Sequence, residues 1–333
     1  MKAIVYQKYG SPDVLKYEEI EKPTAGDDEV LIKIHAASVN PLDYHFMRGT
    51  PFAVRLFSGL HKPKITRLGR DVAGLVETVG KKVTQFKPGD AVYGTCRGAF
   101  AEYACTSESS VVIKPNNVTF EQAAAVPIAA FTSLQALRDK GQIQHGQNVL
   151  INGAAGGVGT FAVQMAKSFG AHVTGVCSTR NMEMVRSIGA DNVIDYTKVN
   201  FTKTGQRYDM IFDCYANQSL LAYRRALKEN GKHITVGGPG GSLIGIIAGS
   251  ISALVLSLLL GKKFLSLLAR TNPKDLMIIN ELIADGKVTP VIDRNYGLSE
   301  VREAIQHVEE GHARGKVIIT VEDNSINKMR VAK

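Results

Sequence analysis

The middle of the chain alternates short apolar runs with stretches of helical length. Runs of strand length are found at 172–177, 209–213 and 232–236. Predicted helices separate or precede them at 160–169, 182–188 and 219–227. Because strands that alternate with helices pair in parallel, this pattern predicts an α/β fold with a doubly wound parallel sheet.

The rest of the chain has a different pattern. Residues 1–125 carry short alternating runs, such as 30–35 and 72–79, punctuated by turn signals, which predicts a β-rich domain. Beyond residue 286, predicted strands at 290–296 and 316–321 flank a predicted helix at 300–309. We expect this last segment to return to the first domain. The predicted domains are therefore 1–125 with 286–333, and 126–285.

The most specific chemical signal lies where the first strand of the alternating region ends. The apolar run that begins at Asn148 breaks into a glycine cluster ending at Gly159, and a predicted helix follows, with Gly170 in the position of a C-cap glycine. A strand, a glycine turn and a helix N-terminus form a cradle for a pyrophosphate, and the next strand completes a βαβ unit. The backbone groups expected to bind a dinucleotide belong to Ala155, Gly156, Gly157, Val158 and Gly159.

The spacing of this cluster departs from the G-x-G-x-x-G fingerprint at one position. When the fingerprint is laid over residues 154–159, Ala154 replaces the first glycine, while Gly156 and Gly159 hold the second and third positions. We expect Ala154 to keep a negative φ. The second glycine lets the backbone approach phosphate and the third lets the helix pack against the strand. The fingerprint is therefore intact where it contacts phosphate.

The residues after the second strand of the βαβ unit indicate which cofactor binds. An NAD site places an acidic residue there to bind the ribose 2′-hydroxyl, but this chain has Ser178, Thr179 and Arg180. Hydroxyls and a guanidinium suit a 2′-phosphate, and Tyr196, after the apolar stretch 192–195, is a further candidate to approach it. A plain N-cap with a solvated arginine is the structural alternative. NADPH is favoured over NADH.

Composition limits the other classes of function. The chain has 333 residues, 44% of them hydrophobic, and a formal charge of +9 that suits an anionic ligand. No basic run of motif quality and no aromatic RNA-binding signature indicates nucleic-acid binding. The four cysteines show no paired spacing, and the N-terminus enters a predicted strand directly, without an apolar leader. A reduced, cytoplasmic enzyme is expected.

One apolar run needs a separate interpretation. Residues 243–260 carry no charge, and Lys262 and Lys263 follow them. Three interpretations are open: a membrane span, peripheral membrane contact, or a cover for the substrate pocket and a dimer interface. Spanning is disfavoured because the run separates two strands predicted for the same sheet, the second at 264–269. Two glycines and several serines also weaken its hydrophobicity.

Several motifs, in order along nearly the whole chain, resemble the medium-chain dehydrogenase/reductase superfamily, specifically its zinc-free quinone oxidoreductase and enone reductase branch. The motifs are Met1-Lys-Ala, Ala37-Ser-Val-Asn-Pro-Leu-Asp43, Gly69-Arg-Asp-Val-Ala-Gly74, Gly80 with Phe86-Lys-Pro-Gly-Asp90, Gly98-Ala-Phe-Ala-Glu-Tyr103, Ala154-Ala-Gly-Gly-Val-Gly159 and Gly311-His-Ala-Arg-Gly-Lys-Val317. The resemblance implies a GroES-like catalytic domain over 1–125 and 286–333, a Rossmann NADPH-binding domain over 126–285, and a homodimer.

The same resemblance bears on zinc. Members that use catalytic zinc bind it through cysteine and histidine, and the corresponding positions here hold Asn40 and Arg70. An arginine cannot bind zinc, and an amide is not one of its usual ligands. Asp71 keeps one acidic group, and the cysteines of a structural zinc lobe are absent. No metal is expected.

Without a Lewis acid, the suitable substrates are those that accept hydride easily. Quinones and α,β-unsaturated carbonyls qualify because conjugation spreads the incoming charge onto oxygen, where a few donors can stabilise it. The candidate residues lie in the segment 40–48. By resemblance Asn40 contacts the nicotinamide ribose region. Tyr44 or His45 could line the pocket and donate a hydrogen bond, with core packing and a satisfied histidine as equal alternatives. Asp43 is expected to order the loop.

Three more residues follow from the resemblance. Thr132, near the start of a predicted helix after Pro127, approaches the nicotinamide in relatives, and Gly237 and Gly238 would let the backbone do so. The sequence therefore predicts a zinc-free, NADPH-dependent reductase of quinones or enones. Two alternatives are an NADP-dependent alcohol or carbonyl dehydrogenase on the same fold, and a nucleotide-binding, membrane-associated protein with little turnover.

Overall fold

The computed structural model of the chain describes residues 1–236 and 263–321. The described residues divide into two compact units. The first contains Met1–Ile128, Thr271–Asn280 and the described part of Ile292–Lys333. The second contains the described part of Ala129–Arg270, and Glu281–Val291. Compared with the predicted boundaries, the first change of unit falls three residues later, and a ten-residue segment after position 270 joins the first unit.

Fifteen strands and nine α-helices are present in the described residues. The strands are β1 (Lys2–Val5), β2 (Lys16–Glu19), β3 (Glu29–Val39), β4 (Asp71–Val79), β5 (Ala91–Thr95), β6 (Tyr103–Ser107), β7 (Val111–Ile113), β8 (Asn148–Asn152), β9 (His172–Cys177), β10 (Asn192–Asp195), β11 (Tyr208–Asp213), β12 (Leu227–Thr235), β13 (Lys263–Ser266), β14 (Ile292–Gly297) and β15 (Lys316–Thr320). The α-helices are α1 (Pro41–Arg48), α2 (Ala53–Ser58), α3 (Phe120–Ala124), α4 (Pro127–Gln135), α5 (Gly157–Ser168), α6 (Met182–Ser187), α7 (Leu220–Ala226), α8 (Pro273–Ala284) and α9 (Val301–Glu309).

The second unit contains a six-stranded sheet in which every pair of neighbours is parallel, in the order β10-β9-β8-β11-β12-β13. Counted from β8, this is the 3-2-1-4-5-6 order of a Rossmann fold. The predicted doubly wound sheet is therefore confirmed. Two strands have an end that differs from its prediction by three residues or more. β12 begins at Leu227 rather than residue 232, and β13 ends at Ser266 rather than residue 269.

The first unit contains a seven-stranded sheet in the order β14-β15-β3-β4-β5-β7, with β6 paired to β3. β3 is central because its eleven residues pair with β4, β6 and β15, all antiparallel. Its apolar side chains, such as Ile32 and Val39, join Val72, Val317 and other residues in one buried core.

The C-terminal segment belongs to this sheet. β15 pairs with β3, and β14 pairs in parallel with β15. The strands and helix predicted at 290–296, 300–309 and 316–321 correspond to β14, α9 and β15, with ends that differ by two residues or fewer.

Some predictions cannot be compared with the structure. The apolar run 243–260, together with Gly237 and Gly238, lies outside the described residues. Within 1–236 and 263–321, no helix combines the length and the apolar character that crossing a membrane requires.

Candidate functional site

The glycine turn of the second unit joins β8 to α5. Gly153 follows the last residue of β8 and has a φ of +88°, which favours glycine. Gly156 is the N-cap residue of α5, with φ −82° and ψ 174°. The first backbone N–H groups of a helix have no partner within that helix, so they point out of its N-terminus. The turn therefore presents N–H donors and the positive end of the helix dipole to a phosphate.

The glycines of the turn have different physical roles. A Cβ added to Gly159 would lie 2.0 Å from the carbonyl oxygen of Gly153, so the contact between helix and turn excludes any side chain there. Among the described residues, a Cβ added to Gly156 would meet only that same oxygen, at 3.5 Å. As far as these residues define it, the space in front of Gly156 is open, as a site for pyrophosphate requires. The residues present therefore fit a dinucleotide.

The turn also shows what the fingerprint alignment missed. The glycine needed for positive φ is Gly153, one residue before the first position of the fingerprint. Ala154 keeps a negative φ, as expected, and its side chain is fully buried. The signal for Gly153 was present in the sequence, because an Asn-Gly pair ends the strand.

The residues expected at a 2′-phosphate lie where β9 ends. Ser178 is the N-cap of a short 3-10 helix, Thr179–Asn181, and Arg180 is exposed. Tyr196 is 60% exposed, and its backbone N–H donates to the carbonyl oxygen of Cys177 at 3.0 Å. The structure therefore brings Ser178, Arg180 and Tyr196 to one edge of the sheet.

A carboxylate that we did not predict also lies at this edge. Asp195, the last residue of β10, pairs in register with Cys177. The hydroxyl of Thr179 donates to Asp195 Oδ2, and Thr197 donates to Oδ1 from its hydroxyl (2.7 Å) and its backbone N–H (3.0 Å). Hydrogen bonds from Thr179 and Thr197 lower the pKa of Asp195.

This contact changes the role expected for Thr179. A hydroxyl has one proton, and that of Thr179 is directed at Asp195 rather than towards a ligand. Of the three residues expected at a 2′-phosphate after β9, Ser178 and Arg180 therefore stay as the candidate donors. Local sequence could not reveal the contact because the two residues are sixteen positions apart.

A second carboxylate supports the glycine turn from β11. Asp213 is fully buried and accepts hydrogen bonds from Asn152 (2.8 Å) and from the backbone of Tyr215 and Ala216. His233 Nε2 lies 2.9 Å from its other oxygen. Burial raises the pKa of Asp213, but the interactions with His233, Tyr223 and the backbone of Ala216 together outweigh that effect, and the pKa is lowered. The loop held in this way places the ring of Tyr215 against Gly153.

Helix α4 packs next to the same turn. The hydroxyl of Ser133 lies 2.9 Å from the carbonyl oxygen of Val158, the second residue of α5. Thr132, the neighbouring residue predicted at the nicotinamide, is 8% exposed. Thr132 is thus the sequence neighbour of a residue that contacts the first turn of α5.

The first unit contains a buried polar cluster around Asn40. Lys316 Nζ donates to Asn40 Oδ1 (2.7 Å) and lies 3.3 Å from Asp71 Oδ2. Asn40 Nδ2 donates to the same carboxylate oxygen at 2.9 Å, and the hydroxyl of Ser38 does so at 2.7 Å. All four residues are at most 4% exposed. The sequence indicated Asn40 and Asp71 but not Lys316, although Lys316 lies in the C-terminal motif 311–317.

Asp43 organises the segment that begins at Asn40. Its carboxylate accepts hydrogen bonds from the backbone N–H groups of Asn40 (2.8 Å), in the manner of a capping box, and Gly69 (3.0 Å). Burial raises the pKa of Asp43 to about 6, against the lowering effect of these two bonds. This contact agrees with the expectation that Asp43 orders the loop.

The two candidate pocket residues on α1 differ in their surroundings. His45 is 8% exposed, and its Nδ1 lies 2.9 Å from the carbonyl oxygen of Thr50, which can only accept a hydrogen bond. This favours the structural alternative for His45. Tyr44 is half-buried, packs against the core of the unit and lies 4.5 Å from the His45 ring between centroids.

The donors in this region do not fit a zinc ion. In the described part of the chain, no group of three or more histidine, cysteine, aspartate or glutamate side chains is arranged to hold a metal. Asn40 and Asp71 bind the ammonium of Lys316, a cation that belongs to the chain itself. The nearby thiol of Cys96 is buried, which raises its pKa to about 12 and disfavours the thiolate that metals bind.

Comparison with known proteins gives matches over most of the chain. Residues 26–116 match the alcohol dehydrogenase GroES-like domain, and residues 188–319 match a family described as zinc-binding dehydrogenase. The chain is 36% identical to a 2-methylene-furan-3-one reductase of Solanum lycopersicum, over 96% of this chain and 79% of that protein. It is 35% identical to an NADPH-dependent alkenal/one oxidoreductase, chloroplastic, of Arabidopsis thaliana, with the same coverage of both proteins.

A solved structure gives the same picture. The quinone oxidoreductase of Coxiella burnetii superposes with a TM-score of 0.85 at 32% sequence identity, covering 97% of this chain and 99% of that one.

Proposed function

Because the chain belongs to the medium-chain dehydrogenase/reductase superfamily, in its quinone oxidoreductase and enone reductase branch, it is an oxidoreductase, and we propose that it reduces quinones or α,β-unsaturated carbonyls with NADPH and without zinc. The proposal rests on the presence, in the same chain, of two features: the glycine turn at Gly156, which leaves room for a phosphate, and the cluster around Asn40, in which the ammonium of Lys316 is the cation. The first suits a dinucleotide and the second does not suit a metal.

Bound NADPH supplies the hydride for this reaction. In the proposal, the backbone of residues 155–159 binds the pyrophosphate. Ser178 and Arg180 bind the 2′-phosphate, and Tyr196 flanks it. The positive charge of the Arg180 guanidinium would strengthen its hydrogen bonds to that phosphate. The two oxygens of Asp195 accept hydrogen bonds from Thr179 and Thr197. Asn40, Thr132, Gly237 and Gly238 are proposed to contact the nicotinamide half.

The acceptor is proposed to be a conjugated one. Because Asn40 and Asp71 bind the ammonium of Lys316, the substrate in this proposal spreads the incoming negative charge onto its own oxygen. Tyr44 is the proposed donor to that oxygen, because the ring of His45 is buried and bonded to Thr50. The proton that completes the reduction then comes from solvent or from a nearby acid.

Two further parts of the proposal concern the setting of the enzyme. We propose a homodimer in the cytoplasm, although the Arabidopsis relative carries a chloroplastic name. The role of the run 243–260, which lies outside the described residues, stays a prediction: a cover for the substrate pocket and a dimer interface, with peripheral membrane contact as the alternative. Sedimentation of the purified protein, with and without anionic liposomes, tests the dimer and the membrane contact together.

The decisive experiment measures NADPH oxidation by the purified protein with quinones, short enones and simple ketones, and with NADH as the control cofactor. Turnover of quinones or enones that favours NADPH and survives a chelator is the expected result. Turnover restricted to simple ketones, or lost with the chelator, would instead identify an alcohol or carbonyl dehydrogenase. Tight NADPH binding without turnover of any acceptor would identify a nucleotide-binding protein.

A further inference from the structure

We propose that Lys316 is a positioning residue that, together with Asp71, locks the side chain of Asn40 so that its oxygen, and not its nitrogen, faces the cofactor. The inference rests on the proposed function, because it concerns how Asn40 contacts the nicotinamide half of NADPH. It gives Asn40 the role of a hydrogen-bond acceptor for a ribose hydroxyl and removes it from the groups that could stabilise negative charge on the substrate.

The sheet register brings the cluster together. β3 ends at Val39, and its last residues pair with the start of β4 on one side and the start of β15 on the other. Ser38 is the cross-strand partner of Asp71, and Val39 is the partner of Val317. Lys316, one residue before Val317, therefore lies beside Asn40, one residue after Val39. Three segments far apart in sequence meet here through backbone pairing.

The chemistry of the neighbours determines which way the Asn40 amide points. An asparagine side chain can be turned by 180° with almost no change in shape, so its orientation is decided by its partners. A lysine ammonium only donates hydrogen bonds and a carboxylate only accepts them. The oxygen of Asn40 must therefore face Lys316, at 2.7 Å, and its nitrogen must face Asp71, at 2.9 Å. The reverse orientation would place two donors against each other at Lys316 and two acceptors against each other at Asp71.

Among the described residues, the hydrogen bonds made within the cluster use most of its donors and acceptors. The three protons of Lys316 are directed at Asn40 Oδ1, Asp71 Oδ2 and the carbonyl of Val39, the last at 3.5 Å. Asp71 accepts from Lys316, Asn40 and Ser38 on one oxygen and from the backbone of Ile128 on the other, at 3.0 Å. Lys316 therefore has no proton left for a ligand, and Asp71 keeps a lone pair only on the oxygen that accepts from Ile128.

Asn40 itself retains one site. Its nitrogen has Asp71 at 2.9 Å and the carbonyl of Ser38 at 3.4 Å, so both protons are directed inside the cluster. Its oxygen has two lone pairs, and Lys316 uses one. The remaining lone pair suits a hydroxyl donor such as a ribose hydroxyl. A buried ion pair commonly brings no net stability. In this proposal, the function of the Lys316–Asp71 pair is to specify one orientation of the Asn40 side chain.

The test measures binding rather than turnover. Fluorescence titration gives the dissociation constant of NADPH for the unaltered protein, for Lys316→Met, for Asn40→Ala and for the double variant. The second probe is 2′,5′-ADP, which contains the adenosine half but lacks the nicotinamide half. Each single variant should weaken NADPH binding about tenfold, the value of one hydrogen bond to a well-placed group. The double variant should be no weaker than either single variant, since Lys316 acts through Asn40.

The 2′,5′-ADP titration separates positioning from general damage. Its affinity should change by less than about twofold in all variants, because a local change at Asn40 leaves the phosphate cradle intact. Equal losses for both probes, additive losses in the double variant, or an unchanged NADPH affinity in Lys316→Met would each overturn the inference while leaving the proposed function intact. Failure of the unaltered protein to bind NADPH would overturn both.

A second variant covers the case in which Lys316→Met does not fold, since it leaves Asp71 buried without its partner. The pair Lys316→Met with Asp71→Asn removes both charges and should reproduce the loss of NADPH affinity with unchanged 2′,5′-ADP affinity. Retention of full NADPH affinity in that variant would overturn the inference. Thermal denaturation of each variant checks that the titrations are made on folded protein.

Discussion

The glycine turn of the second unit and the Asn40 cluster of the first unit are built in opposite ways. The turn is made of backbone: the space before Gly156 is open, the contact behind Gly159 is closed, and the helix supplies the dipole. The cluster is made of side chains, with a lysine and an aspartate buried together. A backbone site needs side chains to be absent, whereas a side-chain site needs several of them to be present at once.

The difference has energetic consequences. Burying N–H groups at a helix N-terminus adds no ionised group to the interior. The turn is therefore sensitive mainly to the volume of the side chains at its glycine positions. The cluster contains two ionised groups, and each is tolerated only while its partner is present. Substitutions that add atoms should therefore damage the turn, and substitutions that remove a charge should damage the cluster.

Removal of the Asp71 carboxylate should have the largest effect. In Asp71→Ala, the ammonium of Lys316 stays buried at 4% exposure without its carboxylate. The free energy of unfolding should fall by about 3–5 kcal/mol, measured by urea denaturation. The matched control is the variant with both Asp71→Asn and Lys316→Met, which should lose less because no unpaired charge is left. A control that costs more than the single variant would show that the pair itself stabilises the fold.

A methyl group at Gly159 should have the next largest effect, and the same group at Gly156 should separate stability from binding. Gly159→Ala places Cβ 2.0 Å from a carbonyl oxygen, so the free energy of unfolding should fall by about 3 kcal/mol. Gly156→Ala should cost no more than about 1 kcal/mol.

The affinity of Gly156→Ala for NADPH tests the effect of the added methyl group on binding. In Gly156→Ala, the methyl enters the open space proposed for pyrophosphate, and the dissociation constant of NADPH should rise at least about tenfold. Unchanged NADPH affinity in this variant would contradict the placement of the pyrophosphate.

The raised pKa of Asp43 predicts a pH dependence that belongs to the first unit. Its folded-state pKa of about 6 lies above the ordinary value of 3.8, so the folded protein binds more protons between these pH values. The contribution of Asp43 to the free energy of unfolding should therefore fall as pH rises from about 4 to above 6, by up to about 2–3 kcal/mol. Denaturation of the unaltered protein and of Asp43→Asn across this range gives the difference. A difference that does not change with pH would contradict the shift.

Removal of the Arg180 guanidinium should have the smallest effect and should discriminate between cofactors. Arg180→Ala should raise the dissociation constant of NADPH about tenfold and change that of NADH by less than about twofold, because only NADPH carries the 2′-phosphate. Arg186→Ala, which removes an equal charge from an exposed position on α6, is the matched control and should affect NADPH less. Equal losses for both cofactors would remove Arg180 from the proposed phosphate site.

The parallel sheet and the dinucleotide turn could be predicted because their signals are local. A strand, a glycine cluster and a helix follow one another within about 25 residues, and each is specified by periodicity or by glycine. The partners of Thr179 and Asn40 could not be predicted in this way. Asp195 lies sixteen residues from Thr179, and Lys316 lies 276 residues from Asn40.

The sequence by itself determined the two-part pattern of the chain, the βαβ unit, the glycines of the turn between β8 and α5, and the absence of zinc-ligand residues at positions 40 and 70. Only the tertiary structure decided that Asp195 accepts the hydrogen bond of Thr179 and that Lys316 faces Asn40. The physical reason is the distance in sequence over which each property is determined. Backbone conformation and helical periodicity are properties of neighbouring residues, whereas a hydrogen bond between side chains depends on the register in which distant strands pair.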